Sequence, residues 1–158
     1  MSAMKDFDKL FRSFRNVKVG VVGDIMLDTY WWGHVDRISP EAPVPVVALD
    51  KKEFRIGGAG NVAWNLVSLG ASASVFSCLG ADAAGEQLTT LLQSNQIDTR
   101  YLLTAPKRIT TNKTRIISRQ QQMLRLDEEV TEDLSRKDED RLIDSVAQFI
   151  RKEKPAVI

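Results

Sequence analysis

Apolar residues recur along this chain with two distinct periods. Phe7, Leu10, Phe11 and Phe14 fall at i, i+3, i+4 and i+7, which predicts an amphipathic helix over the first residues. Residues 17–22 are short, β-branched and nearly all apolar, the pattern of a strand buried on both faces of a parallel sheet. Residues 29–35 and 44–49 read as strands of a flap. Residues 61–69 set Val62, Leu66 and Leu69 on one helical face, and Gly70 stops that helix as its C′ glycine. A second core strand is expected over 73–79, ending at Gly80-Ala81-Asp82. Leu88, Leu91 and Leu92 mark another helix, and 101–103 a short strand after it. Residues 111–126 are polar, β-prone and rich in Gln and Arg, a hairpin that covers something rather than filling a core. Leu142, Val146, Phe149 and Ile150 predict a long terminal helix, and Pro155-Ala156-Val157-Ile158 the first residues of another buried strand. Alternating strands and helices imply α/β architecture with a mainly parallel sheet. The chain stops where a βαβ unit should close, which would leave an unpaired inner edge; a fragment is expected.

Composition narrows the partners. Lys plus Arg (22) nearly cancels Asp plus Glu (21), so there is no basic stripe to support nucleic-acid binding. The single cysteine, Cys78, excludes an internal disulfide and suits a reducing compartment; it reads as a small packing residue in a strand. No signal-peptide pattern opens the chain, and no apolar run approaches the roughly 20 residues a membrane helix needs. A soluble, cytoplasmic protein without a membrane partner is expected.

Three constellations carry chemistry. Gly23-Asp24-Ile25-Met26-Leu27-Asp28 follows the first buried strand as an acidic loop, and ligands of open α/β sheets bind beyond the carboxyl ends of strands. Asp28 is the first choice to accept hydrogen bonds from sugar hydroxyls; the competing reading has Asp24 capping the turn and Asp28 solvated. These two acids alone are a poor metal site, since divalent ions want more oxygen ligands. The glycine loop Ile56-Gly57-Gly58-Ala59-Gly60-Asn61 lets backbone amides approach a ligand at a helix start. Asn61 can donate and accept towards a hydroxyl, or serve as the helix N-cap. Gly58-x-Gly60-x-x-Ala63 also matches a dinucleotide fingerprint, but Lys51-Lys52-Glu53-Phe54-Arg55 before it cannot be the sheet-centre strand that motif requires. The third is Thr110-Thr111-Asn112-Lys113-Thr114-Arg115 with Arg119-Gln120-Gln121-Gln122-Met123-Leu124-Arg125-Leu126-Asp127-Glu128. Its cations could clamp a sugar phosphate, or serve as an ordinary charged edge hairpin. Trp31 and Trp32 could stack on a sugar, pack at a subunit interface or pack under the flap, and His34, the only histidine, reads as a structural polar residue.

Taken with Arg37-Ile38-Ser39-Pro40-Glu41-Ala42-Pro43-Val44-Pro45-Val46-Val47 and Gln121-Gln122-x-Leu124-Arg125-x-Asp127, these motifs resemble the ribokinase/PfkB sugar kinases. More narrowly, they resemble the kinase domain of the heptose 7-phosphate kinase/ADP-heptose synthases, over residues 17–158. The resemblance implies a ribokinase-like α/β fold with a small β lid, its segments near 29–50 and 111–127. It also implies phosphoryl transfer from ATP with Mg²⁺ to O1 of D-glycero-β-D-manno-heptose 7-phosphate, for lipopolysaccharide core synthesis. Asp28, Gly57, Gly58 and Asn61 match the group's sugar-contact positions, and Lys113, Arg115 and Arg125 are carried over as phosphate contacts. The resemblance further implies a homodimer through the lid. The family's Gly-Ala-Gly-Asp motif with its catalytic Asp lies downstream of Ile158, as does most of the ATP- and Mg²⁺-binding half. Another acceptor sugar, or a truncated sugar-binding or dimerisation module without catalysis, are the alternatives.

Overall fold

Two sheets share one core. The computed structural model describes residues 2–158. The first sheet is wholly parallel and consists of β1 (Lys18–Val22), β4 (Ser72–Gly80) and β5 (Leu102–Ala105), in the order β1-β4-β5. The second is mixed and runs β3-β2-β6-β7, from β2 (Ile25–Ile38), β3 (Pro45–Gly58), β6 (Asn112–Ser118) and β7 (Gln121–Glu128). In it β2 pairs antiparallel with β3 and parallel with β6, while β7 closes a hairpin with β6. The helices are α1 (Ser2–Ser13), α2 (Ala59–Ser68), α3 (Ala83–Ser94) and α4 (Arg136–Glu153).

The elements form where the hydrophobic periods place them, with instructive departures. The flap strands are far longer than the apolar run suggested, 14 residues each, because cross-strand pairing extends β2 and β3 through charged positions. On α2 the buried residues are Gly60 and Ala63, with Leu66 and Val67 packed against the core; Val62 and Leu69 of the expected face are exposed. The helix rotates because small residues let its backbone approach the sheet more closely than a Val/Leu stripe would. In β1, Val19 and Gly20 are buried but Val22 is exposed, so only the strand centre is covered on both faces. In α4, Phe149 is buried while Ile150 points to solvent. Helix α1 forms as its period predicts, with Phe7, Leu10 and Phe11 exposed.

Side chains stop and start the helices. Asp82 caps α3 by accepting from the Gly85 N–H at 2.8 Å and also holds the Thr110 N–H at 2.7 Å, so one carboxylate ties a helix start to the segment entering β6. These bonds hold its carboxyl below the usual range against the opposing effect of burial. Ser135 caps α4, which ends at Lys154 in the left-handed region (φ 46°) before Pro155. Beyond it Val157 bridges Val19 in parallel, and the Gly20 N–H donates to the Val157 carbonyl at 3.0 Å. The terminal residues thus begin a fourth position beside β1, but Val157 and Ile158 are exposed there rather than buried as expected, since an isolated bridge to Val19 holds them.

The core is what fixes the second sheet in place. Ile25, Leu27 and Ile56 from the feet of β2 and β3 are buried in one cluster with Ala63, Val75, Leu79, Leu88 and Leu92. Each fully buried Leu or Val contributes about 1.5–3 kcal/mol. A second cluster stacks Phe76 on Tyr101 (4.7 Å between centroids) and sets Phe149 edge-on to Phe76 at 5.1 Å. Among the described residues, no helix is long and apolar enough to cross a membrane.

Candidate acceptor site on the second sheet

Strand alternation sorts the second sheet into two unlike faces. Ile25, Leu27 and Thr29 are buried on one; Met26, Asp28, Tyr30 and Trp32 line the other. Register then brings partners beside them: Asp28 lies between Arg55 of β3 and Lys113 of β6, and Tyr30 between Glu53 and Arg115. Arg115 pairs across to Arg125 of β7, and Lys113 to Asp127.

Asp28 therefore sits within a strand rather than in the acidic loop its neighbours suggested. The loop is confined to Gly23 and Asp24, because Ile25 is drawn into the core and starts the pairing. Asp28 Oδ1 accepts from Arg115 Nη1 at 2.5 Å, a half-buried pair that raises the guanidinium pKa. The glycines are likewise not a free loop: Gly57 and Gly58 end β3 and Ala59 starts α2. A Cβ at Gly57 would lie 2.6 Å from Asp28 Oδ2, so its absence makes room for the carboxylate. Gly58 has φ 59°, and a Cβ there would lie 2.3 Å from the Asp24 carbonyl oxygen. That carbonyl accepts the Ala59 N–H at 2.9 Å. It is thus the main chain of Asp24, not its carboxylate, that meets the helix start.

The N-cap of α2 is Gly58, not Asn61, and α2 begins with no side-chain cap. Its first-turn N–H groups have no intrahelical partners, and the positive end of the helix dipole opens beside Asp28 and Gly57. Asn61 stands exposed in that first turn. Asp28, Gly57 and Arg115 are thus assembled at one corner, with Gly58 next in the chain and Asn61 in the helix turn that follows.

The remaining cations are differently engaged. Lys113 Nζ is bonded to Asp127 (3.1 Å) and Glu129 (3.0 Å), which raises its pKa, and it is largely covered. Arg125 Nε donates to the same Asp127 at 2.9 Å. Asp127, shared by both cations, is held below the usual carboxylate range, chiefly by the Lys113 hydrogen bond. Two residues that sequence reasoning gave no role belong to this face. Arg55 sits with its guanidinium carbon 4.4 Å from the Tyr30 ring centroid, and Arg115 approaches the same ring at 5.3 Å. The available signal was the shared parity of Arg55 and Gly57, two residues apart on one strand. His34 lies on the distal part of the hairpin between Asp50 (3.0 Å) and Asp36 (3.3 Å).

Chemically, a carboxylate set beside a guanidinium, an aromatic ring and an uncapped helix start suits a polyhydroxylated anion. Among the described residues no three His, Cys, Asp or Glu side chains converge on one point.

Comparison with known proteins gives the family and the fold. Residues 16–154 match the pfkB family carbohydrate kinase pattern. "Bifunctional protein HldE" of Trichlorobacter lovleyi is 44% identical over 146 residues, covering 92% of this chain and 30% of that protein. The protein of the same name from Geotalea uraniireducens is 41% identical over 143 residues, covering 90% of this chain and 29% of its own length. The chain therefore spans about three tenths of these relatives. Among solved structures, a carbohydrate kinase from Agrobacterium tumefaciens superposes with a TM-score of 0.57 at 20% identity, over 71% of this chain and 35% of that one. Ribokinase from Cryptococcus neoformans, crystallised with ADP, gives 0.53 at 15% identity, over 76% and 38%. Both share the ribokinase-like fold. By the match across residues 16–154 and by these relatives, the chain belongs to the pfkB family of carbohydrate kinases.

Proposed function

We propose that this chain is the acceptor-binding part of a cytoplasmic ATP- and Mg²⁺-dependent sugar kinase. Its acceptor is D-glycero-β-D-manno-heptose 7-phosphate, phosphorylated at O1 to the 1,7-bisphosphate on the way to ADP-heptose and the lipopolysaccharide core. The observation that carries this reading is the Asp28–Arg115 pair, seated against Gly57 beside the uncapped start of α2. Asp28 has a second carboxylate oxygen to accept a sugar hydroxyl, and Arg115 keeps further N–H donors for an anion. The first-turn amides of α2 and Asn61 hold the opposite side of the sugar. The heptose assignment rests on the motifs shared with the heptose 7-phosphate kinases and on the two relatives above.

ATP would supply the transferred phosphoryl group, and Mg²⁺ would offset the negative charge of its phosphates. The residues here bind and orient the acceptor, while the family resemblance assigns nucleotide, metal and the catalytic Asp to a Gly-Ala-Gly-Asp-bearing region not among these 158 residues. These 158 residues alone are accordingly expected to bind acceptor without turnover, and ATP-dependent phosphorylation by the purified chain would overturn that. The direct test is ³¹P NMR of ATP, Mg²⁺ and heptose 7-phosphate with the full-length protein. A new anomeric phosphate signal supports the assignment. Silence from a folded, ATP-binding protein redirects it to another sugar.

A lid-to-lid homodimer is part of the proposal. The face opposite Asp28 leaves Phe54 exposed on one edge strand, β3, and Leu124 and Leu126 exposed on the other, β7, apolar positions that a second copy could cover. Light scattering of the wild type against Leu126→Asp tests it, and a wild-type monomer at micromolar concentration would exclude it.

A further inference from the structure

The Asp28 face carries five cations within its strands, and their partners divide them. Lys113 is matched by two carboxylates and Arg125 by one. Lys51 and Arg55 share Glu53, whose carboxyl is drawn down to about 2, by Lys51 first and then by Arg55. Arg115 spends one nitrogen on Asp28. Arg55 commits only Nη2, to Glu53 at 2.9 Å, and its side chain is 56% exposed. Its guanidinium carbon rests over the Tyr30 ring, 4.4 Å from the centroid, which reduces the rotamer entropy a ligand contact would otherwise lose. Tyr30 in turn stacks on Trp32, centroids 6.1 Å apart. Trp32 Nε1–H is buried without a hydrogen bond among the described residues, although it lies near enough to Glu53 to help lower that carboxyl.

We infer that Arg55 and Arg115, reaching the Tyr30 ring from the strands on either side of it, form a two-guanidinium clamp for the phosphate arm of an acceptor whose hydroxyls reach Asp28. Arg55 thereby sets the preference for phosphorylated over neutral sugars. The inference rests on the sugar-kinase reading and deepens it. It also redistributes the phosphate contacts: Lys113 and Arg125 brace Asp127, and the anion meets Arg55 and Arg115. The planar fork of arginine matches phosphate oxygens two at a time, so Arg55→Lys keeps the charge yet loses geometry.

The test is an amide NMR titration with D-mannose 6-phosphate, D-mannose and inorganic phosphate, on wild type, Arg55→Gln, Arg55→Lys and Lys113→Gln. The spectrum itself reports whether each variant is folded. In the wild type, mannose 6-phosphate is expected to shift the amides of Asp28, Tyr30 and Arg55. The ratio of its affinity to that of mannose should fall about tenfold in Arg55→Gln, with partial recovery in Arg55→Lys. An unchanged ratio in folded Arg55→Gln, or its collapse in Lys113→Gln instead, overturns the role of Arg55 and leaves the kinase reading intact. If neither sugar perturbs the Asp28 strand of the wild type, both fail together.

Discussion

The parallel sheet and the mixed sheet are held together by different physics. Around β4, Val75, Phe76, Leu88, Leu92 and Phe149 are essentially inaccessible, and cohesion there is apolar burial. Above the buried feet of β2 and β3, the mixed sheet is joined by backbone pairing and by ion pairs between elements, Asp28–Arg115, Lys113–Asp127 and Asp36–Arg119, with Glu53–Arg55 along β3 itself. Burial is indifferent to small charged molecules, whereas an ion-pair lattice can be re-partnered by one. The body is therefore built to stand, and the Asp28 face is built to exchange partners.

The sharpest way to break this contrast is to attack the body. Phe76→Ala should cost about 3–5 kcal/mol, read as a lower urea midpoint, because it empties the aromatic cluster with Tyr101 and Phe149. A smaller loss would mean that the cluster collapses around the gap. At the junction, Gly57→Ala places a methyl against the Asp28 carboxylate and Met26. About 1–3 kcal/mol of stability should go, together with most acceptor binding by NMR titration. Asp28→Asn should separate function from folding. Acceptor affinity should fall about tenfold or more, while stability changes by about 1 kcal/mol or less. Collapse of thermal stability with affinity preserved would make Asp28 structural. Lys113→Gln should cost about 0–1 kcal/mol by denaturant melt, because Asp127 keeps Arg125 as a partner when the lysine charge is removed.

The smallest effect is a pH dependence at the far end of β2. Asp50, then Asp36, raise the His34 pKa, mainly through the Asp50 hydrogen bond. A raised folded pKa means that the stabilisation is complete below the unfolded value of about 6.5 and disappears as pH rises through the folded one. Amide exchange in residues 33–50 should therefore be slower at pH 6 than at pH 8, after correction for intrinsic rates, and His34→Gln should abolish that difference. The same difference in the variant would assign it to another group.

Most of the body was legible in the residues. Helix periods at 83–94 and 136–153 and the apolar run of β4 survive folding because local propensity and burial agree there. The flap was only partly legible: residues 50–55 alternate charge and apolarity too weakly to announce a strand, yet pairing with β2 makes them one. The face of α2 was misread because a helical period cannot tell that Gly60 and Ala63, rather than Val62 and Leu69, allow the closer approach. In the site, Asp28 and the two glycines were legible as chemistry-bearing types next to a strand end. Arg55 and Tyr30 were not, since nothing local distinguishes an arginine that will lie on a tyrosine from any other exposed cation.

The sequence by itself determined the helices and the core strands of the body, and which residue types could meet a hydroxylated anion, because those depend on neighbours a few residues away. Only the tertiary structure decided who meets whom. Asp28 and Arg115 stand 87 residues apart in the chain and become partners through the β2–β6 register. A slip of one residue in that register would turn every side chain to the opposite face. Register is set by the buried feet of the strands, Ile25, Leu27 and Ile56, and so the apolar core chooses which charges form the site.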